Sequence, residues 1–451
     1  MPSIIVSCCL LIVRFTPIFY IMKNIRDRLD ALYSKVDQKN PDTESSPQIR
    51  KELNRLFQHK DGAKYFPKSN VEKKPQSIST VVHGSWINTH FGDIFRAEYN
   101  YDLDEPYGNL NLNQIYSLDR QLLPEIFQIS NSVDPQRLLF IDTETTGLSG
   151  GTGTVAFMIG LGFIENHSFI VHQYFITQFS HEEGMLELLR KVIPKFDCLV
   201  SYNGKSFDIP LLNSRFVMNR MQPIPEDTNH IDLLHSTRTF WKYSMENCKL
   251  KTVETDLLGL FREDDIPGDM IPDAYFDYLR SRRIDKIERI FYHNRFDIIT
   301  MLANLILILN AYESREPDDN PLTDYAKARM FTRKKDIERS VAHYENVLNS
   351  NISIGRRQKT CLELAALYKK TGQFEKALLL WKAVIGKDYP YAIEPYIELA
   401  KYYEHRDKAY PDALRFTQRA IDQLPFTRTN ELGSLQKRKQ RLHKKITASD
   451  A

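Results

Sequence analysis

The sequence predicts a mixed α/β sheet domain followed by an all-α domain of repeated helix pairs. Leu138-Leu139-Phe140-Ile141 is a continuous apolar run of the kind that forms a buried strand, and β-rich segments follow at 155–163 and Ser168–Phe175. Helical spacing at Glu182–Val192 and at 288–310 alternates with a further short apolar run at 198–202, which gives the strand–helix interleaving of a mixed sheet. In the last third, Ala365 and Ala400 stand 35 positions apart within similar helical segments.

Composition narrows the classes. At about 150 residues per domain, 451 residues make two to three domains. Hydrophobic content of 42% and charged content of 26% are ordinary for a globular chain. With 61 basic against 58 acidic side chains the net charge is +3, which excludes binding to nucleic acid through overall charge and leaves that work to local patches. Cys8, Cys9, Cys198, Cys248 and Cys361 show no C-x-x-C spacing, so neither a zinc site nor a disulfide framework is indicated, and a reducing, cytoplasmic setting is expected.

The elements follow in order. Residues 4–21 are mostly apolar, but no basic residue precedes the run and Arg14 and Pro17 interrupt it. Met22 is the preferred initiator, with 1–21 an upstream extension. The alternative is a weak anchor, and no stable membrane association is expected. Residues 22–36 read as a helix with Ile25, Leu29 and Leu32 on one face. The remainder of 22–80 reads as polar linker with a helix near 50–57. The α/β domain is assigned to 81–312, a linker to 313–322, helical repeats to 323–435 and a basic tail to 436–451. Within the first of these, strands are expected at 80–82 and 94–97 and a helix near 122–127, none of them carrying chemistry.

Candidate chemistry lies in three places. Asp142 and Glu144 are two apart at the end of the apolar strand, so their side chains share a face. Two carboxylates that close repel unless a proton or a hard cation lies between them; the alternative is a solvated strand end. The glycine-rich run 147–154 matches neither a phosphate-binding loop nor a dinucleotide fingerprint. Asn203-Gly204-Lys205-Ser206-Phe207-Asp208 then follows a strand and starts a helix. There Asp208 is either a ligand or an ordinary first-turn acid. Finally, His293 and Asp297 are four apart on one face of a largely apolar helix.

In this order, the three segments resemble exonuclease motifs I, II and III of the DEDD superfamily, on a ribonuclease H-like fold. The runs 141–154, 230–234 and 292–297 resemble the bacterial YprB-like branch more closely, over roughly residues 80–312. The resemblance implies that Asp142, Glu144, Asp208 and Asp297 hold two Mg²⁺ or Mn²⁺ ions and that the activity is hydrolysis of a nucleic-acid phosphodiester, by a two-metal 3′–5′ exonuclease mechanism. It leaves DNA and RNA equal. One departure concerns the base. The family places a Tyr four residues, or a His five residues, before the last Asp, whereas here His293 is at minus four and Tyr292 at minus five. His293 is preferred as the catalytic base and Tyr292 is the fallback. Thr145, Asn203 and Phe207 are candidate substrate contacts, with Phe207 read as core packing before base stacking. Asp232 is read as a helix cap before a fifth acid. The acidic run 263–265 is read as a solvated loop with no ligand role.

In the last third, Ala365, Tyr368, Gly372 and Ala377 resemble a tetratricopeptide unit, with weaker copies at 328–347 and 399–420. These repeats would bind a protein partner or brace the first domain. Residues 436–445 carry six basic side chains and no acid, read first as a solvated helix end and second as a nonspecific phosphate contact. The rival to the enzyme is a catalytically silent adaptor that recruits partners through the repeats. The presence of all four acids favours the enzyme.

Overall fold

A computed structural model describes residues 77–147, 153–385, 393–424 and 429–449. The expectations for residues 1–21, for the helices at 22–36 and 50–57 and for the glycine run at 148–152 lie outside the described residues.

A seven-stranded mixed sheet forms the centre of the first domain. Its strands are β1 (Gly84–Thr89), β2 (Gly92–Asp102), β5 (Leu138–Thr145), β6 (Ala156–Glu165), β7 (Ser168–Phe175), β8 (Cys198–Ser201) and β9 (Asn229–Asp232), in the order β1-β2-β7-β6-β5-β8-β9. The short β3 (Pro106–Tyr107) and β4 (Leu110–Asn111) pair separately. The strand expected at 80–82 is absent. Ile78–Thr80 is a 3₁₀ turn, so the apolar pair Val81-Val82 follows a turn instead of extending. The hairpin β6–β7 forms as expected, because Asn166 and His167 both take left-handed φ (47° and 66°), the backbone of a tight primed turn.

Parallel pairing of β5 with β8 and of β8 with β9 brings their carboxyl ends to one edge, where open α/β sheets place ligands. The last β5–β8 pair is Phe140 with Val200, so β5 runs on past its neighbour and carries Asp142 and Glu144 beyond that pairing. Leu138, Leu139, Phe140 and Ile141 are fully buried and anchor that strand, at about 2 kcal/mol per large side chain.

The helices are α1 (Leu122–Phe127), α2 (Glu182–Val192), α3 (Asp208–Met218), α4 (Leu233–Trp241), α5 (Leu250–Val253), α6 (Ile271–Ser281) and α7 (Ile287–Glu313). α7 has 27 residues, and a window of it is apolar enough to cross a membrane by length and composition, but its apolar side chains pack inside the protein. It lies against β5, β6 and β7. The helices beyond are α8 (Pro321–Lys334), α9 (Ile337–Asn349), α10 (Ile354–Lys370), α11 (Phe374–Ala383), α12 (Glu394–His405), α13 (Tyr410–Asp422) and α14 (Thr429–Ser449). They pack as consecutive antiparallel neighbours.

Met330 and Phe331 of α8 enter the same apolar cluster as the second half of α7, and the Phe331 ring meets Tyr312 at 5.4 Å. The basic tail is correspondingly part of α14. Leu435 and Leu442 bury one face of it, and Arg438, Arg441 and Lys445 converge on the fully buried Glu404 of α12. The second expectation for this stretch, a free basic surface, therefore loses half of its six cations.

Candidate active site

Asp142 and Glu144 leave β5 on the face covered by α7. Opposite Asp142 in the sheet stands Gly160. A side-chain carbon there would come within 2.3 Å of Asn294 Oδ1, so the glycine makes room for Asn294. The Asn294 amide donates to Asp142 Oδ2 at 2.8 Å, and its carbonyl accepts from Gln173 Nε2 at 2.8 Å. Glu144 is buried at a register shift between it and Thr145, which ends regular pairing with β6.

Asp208 is the first residue of α3, and its Oδ1 accepts from Thr143 Oγ1 at 2.5 Å. Gly204 lets the loop pass close by. A Cβ at that position would meet Ser201 Oγ at 2.4 Å and stand 3.2 Å from Asp208 Oδ2. Asp232 is the helix cap that was expected. It accepts from Leu234 N (3.1 Å) and also from Asn203 N (2.8 Å) and Lys205 N (3.2 Å), so it fixes the loop that delivers Asp208.

The fourth acid, Asp297, extends from α7 one turn beyond His293, whose Nε2 lies 3.6 Å from Asp297 Oδ2. Burial pushes the Asp142 and Glu144 carboxyls well above their ordinary range. The charges of Asp297 and Asp208 push both further, and that of Asp142 adds to the rise at Glu144. Asp208 is raised by burial too, against the opposing bond from Thr143. The three sequence segments thus converge on one acidic centre.

Of the remaining candidates, Tyr292 packs its ring against Phe296, with centroids 4.5 Å apart and planes tilted by 39°. Thr145 Oγ1 donates to Gly147 O within its own turn. Asn203 takes a left-handed φ of 69° in the loop before Asp208. The core-packing expectation for Phe207 fails, since it is 52% exposed: it caps the start of α3 from outside instead of entering the core.

The reading of 263–265 as a solvated loop also fails for Asp265, whose side chain is only 5% exposed and whose Oδ1 lies 2.8 Å from His293 Nδ1. The reason is Arg262. Its buried guanidinium binds Glu254 twice, at 2.6 and 2.5 Å, forms an ion pair with Asp297 and lies 3.6 Å from Asp265, which draws the segment inward. Arg262, Asp265, Glu254 and Asn294 were not identified from the sequence. The one signal for Asn294 is a polar residue on the apolar side of a packing helix.

A divalent metal is implied by the resemblance, and the donors fit one in part. A set of four carboxylates in which burial and neighbouring negative charge raise Asp142 and Glu144 suits a hard cation with oxygen ligands. Yet among the described residues no three acidic, histidine or cysteine side chains converge on a single metal position; Asp297 rests on Arg262 and Asp208 on Thr143.

Residues 139–308 match the RNase H superfamily, in its RNase_H_2 family. Uncharacterized protein YprB of Bacillus subtilis is 30% identical over 371 residues, covering 79% of this chain and 88% of that protein. The chain belongs to the YprB family. A second relative of this YprB-family chain, DNA polymerase III PolC-type of Mycoplasma pneumoniae, is 29% identical over 151 residues, which is 28% of this chain and 10% of the polymerase. Among solved structures, the family B DNA polymerase from Pyrobaculum calidifontis aligns with 52% of the chain and 29% of its own length, at 13% identity and a TM-score of 0.30, a likeness too distant to argue from.

Proposed function

We propose that this YprB-family chain is a metal-dependent nuclease of the DEDD type that removes nucleotides from the 3′ end of a nucleic acid. One observation carries the reading: Asp142, Glu144, Asp208 and Asp297 come from three separate segments to the carboxyl edge of the sheet, where burial and the charges of Asp297 and Asp208 push the Asp142 and Glu144 carboxyls up. Bound there, two Mg²⁺ or Mn²⁺ ions would supply a water of lowered pKa and charge for the leaving oxygen. The protein's own share is to aim the carboxylates and handle the proton. Asn294 and Thr143 orient Asp142 and Asp208. His293, beside Asp297, is placed to take a proton from the attacking water. Exposed Phe207, next to Asp208, is placed to stack a terminal base. The similarity to a PolC-type DNA polymerase supports nucleic acid as the substrate class. The helical domain, read as tetratricopeptide-like, serves as a brace through α8 or as a surface for a protein partner.

The alternative, a silent adaptor, has one observation in its favour: Arg262 already neutralises Asp297. End-labelled single- and double-stranded DNA and RNA, incubated with the full chain and Mn²⁺, Mg²⁺ or EDTA, separate the two. A metal-requiring 3′-end ladder that Asp208→Ala abolishes is the expected result. No cleavage of any substrate by folded protein supports the adaptor.

A further inference from the structure

The proposal here rests on the nuclease reading and adds a residue that the motifs do not include. We propose that Asp265 is a positioning residue for His293: it fixes the ring with Nδ1–H toward Asp265 and leaves Nε2 facing the acidic centre.

The geometry is two-sided. His293 Nδ1 lies 2.8 Å from Asp265 Oδ1, while Nε2 lies 3.6 Å from Asp297 Oδ2. A buried carboxylate accepts and does not donate, so Asp265 selects the tautomer with the proton on Nδ1. In the neutral ring Nε2 is then an acceptor, which is what a base for an attacking water needs. A carboxylate behind a histidine does the same for metal-bound imidazoles.

The segment that carries Asp265 is held at both ends of its charged stretch. Gly259, with φ at 66°, turns the chain out of a π-helical turn at Glu254–Leu258. Arg262 then anchors it to the buried Glu254. Arg289 of α7 donates Nε to Asp264 O at 2.7 Å and Nη2 to Asp265 O at 3.1 Å, so the Asp265 backbone is tied to the helix that bears His293. Beyond it, a side-chain carbon at Gly268 would stand 4.0 Å from Nε2, leaving that nitrogen open on this side. The same arrangement chooses between the two candidate bases, because Tyr292 packs on Phe296 and makes no such contact.

The test uses the full chain labelled with ¹⁵N-histidine, at about pH 8.5 so that the imidazoles are neutral. Long-range ¹H–¹⁵N spectra report the tautomer, and His293→Gln identifies the signal. The wild type is expected to show the Nδ1–H form at His293, and Asp265→Ala the Nε2–H form that free imidazoles prefer. In the nuclease assay Asp265→Ala is expected to lower kcat about 10- to 100-fold with KM within about twofold. An Nε2–H ring in the wild type, or an unchanged Nδ1–H ring in Asp265→Ala, overturns the proposal. If the alanine variant does not fold, Asp265→Asn keeps the shape and removes the charge, and an undiminished Nδ1–H fraction in it overturns the proposal as well. A wild type that cleaves nothing overturns the nuclease reading alone, since the spectra decide the tautomer without substrate.

Discussion

Two buried charge clusters, one at the end of β5 and one under α14, are assembled from the same groups and balanced in opposite ways. Around Glu404 a single carboxylate faces Arg438, Arg441 and Lys445. Burial pushes its pKa up, but the bonds from Arg441 and Lys445 and the charge of Arg438 outweigh that and hold it at about 2. Around Asp142 the ratio is reversed: Asp142, Glu144, Asp208, Asp297, Glu254 and Asp265 face Arg262 and His293. Six carboxyl groups there share two cationic partners, so acid is in excess. A cluster that balances itself is fastening the fold. One that leaves acid in excess is poised for a ligand, at some cost to stability.

The largest expected difference between the two clusters is in activity. Asp142→Asn is expected to reduce cleavage at least about 10³-fold, whereas Glu404→Gln leaves cleavage near the wild-type rate per folded molecule. Equal losses in the two variants would erase the functional distinction. Next in size is stability. Glu404→Gln removes the buried anion that Arg438, Arg441 and Lys445 share and should cost about 3 kcal/mol, read as a lower Tm or urea midpoint.

Gly160→Ala should sharpen the acidic side, because its methyl group displaces Asn294 and frees Asp142. A loss of about 2 kcal/mol in stability, with a fall in cleavage of about tenfold, is expected. The smallest effect is of pH on metal-free protein. Carboxyls raised in the fold bind their protons more tightly there than in the unfolded chain, so Asp142, Glu144 and Asp208 subtract stability progressively as pH climbs above their ordinary range near 4. His293, also raised, adds stability below its ordinary 6.5 and loses it as pH rises through its folded value. Glu404 works the other way: its contribution is complete above 4.5 and is lost as pH falls through about 2. Thermal melts in EDTA should therefore fall from pH 6 toward pH 8 by about 1 kcal/mol, and Mn²⁺ should flatten the slope. A flat slope in EDTA would remove the strain assigned to the acidic centre.

Much of the architecture was legible in the chain. Strand β5, the β6–β7 hairpin, α2 and α7 announce themselves through apolar periodicity, which depends on a few neighbouring residues. The four acids were legible because their positions within motifs set which edge of the sheet they reach. Arg262 and Asp265 were not, since a polar run with three acids looks the same whether it is solvated or drawn inward by a buried Glu254 some eight residues earlier. Phe207 misled for a related reason. An aromatic beside a helix start is usually packed, whereas this one stands at the N-terminal cap of α3 and stays exposed.

The wrapping of α7 has a consequence for how the chain is made. Its 27 residues leave the ribosome before α8 exists, although Tyr312 and the residues around Leu309 depend on Met330 and Phe331 for their cover. For that interval the nascent chain displays a segment of mean hydropathy 1.4, long enough to be mistaken for a membrane span by insertion machinery or to recruit a chaperone. A gene cut at the linker near residue 315 would make that interval permanent. Expression trials of the first domain should therefore carry the chain through α8, to Lys334 at least.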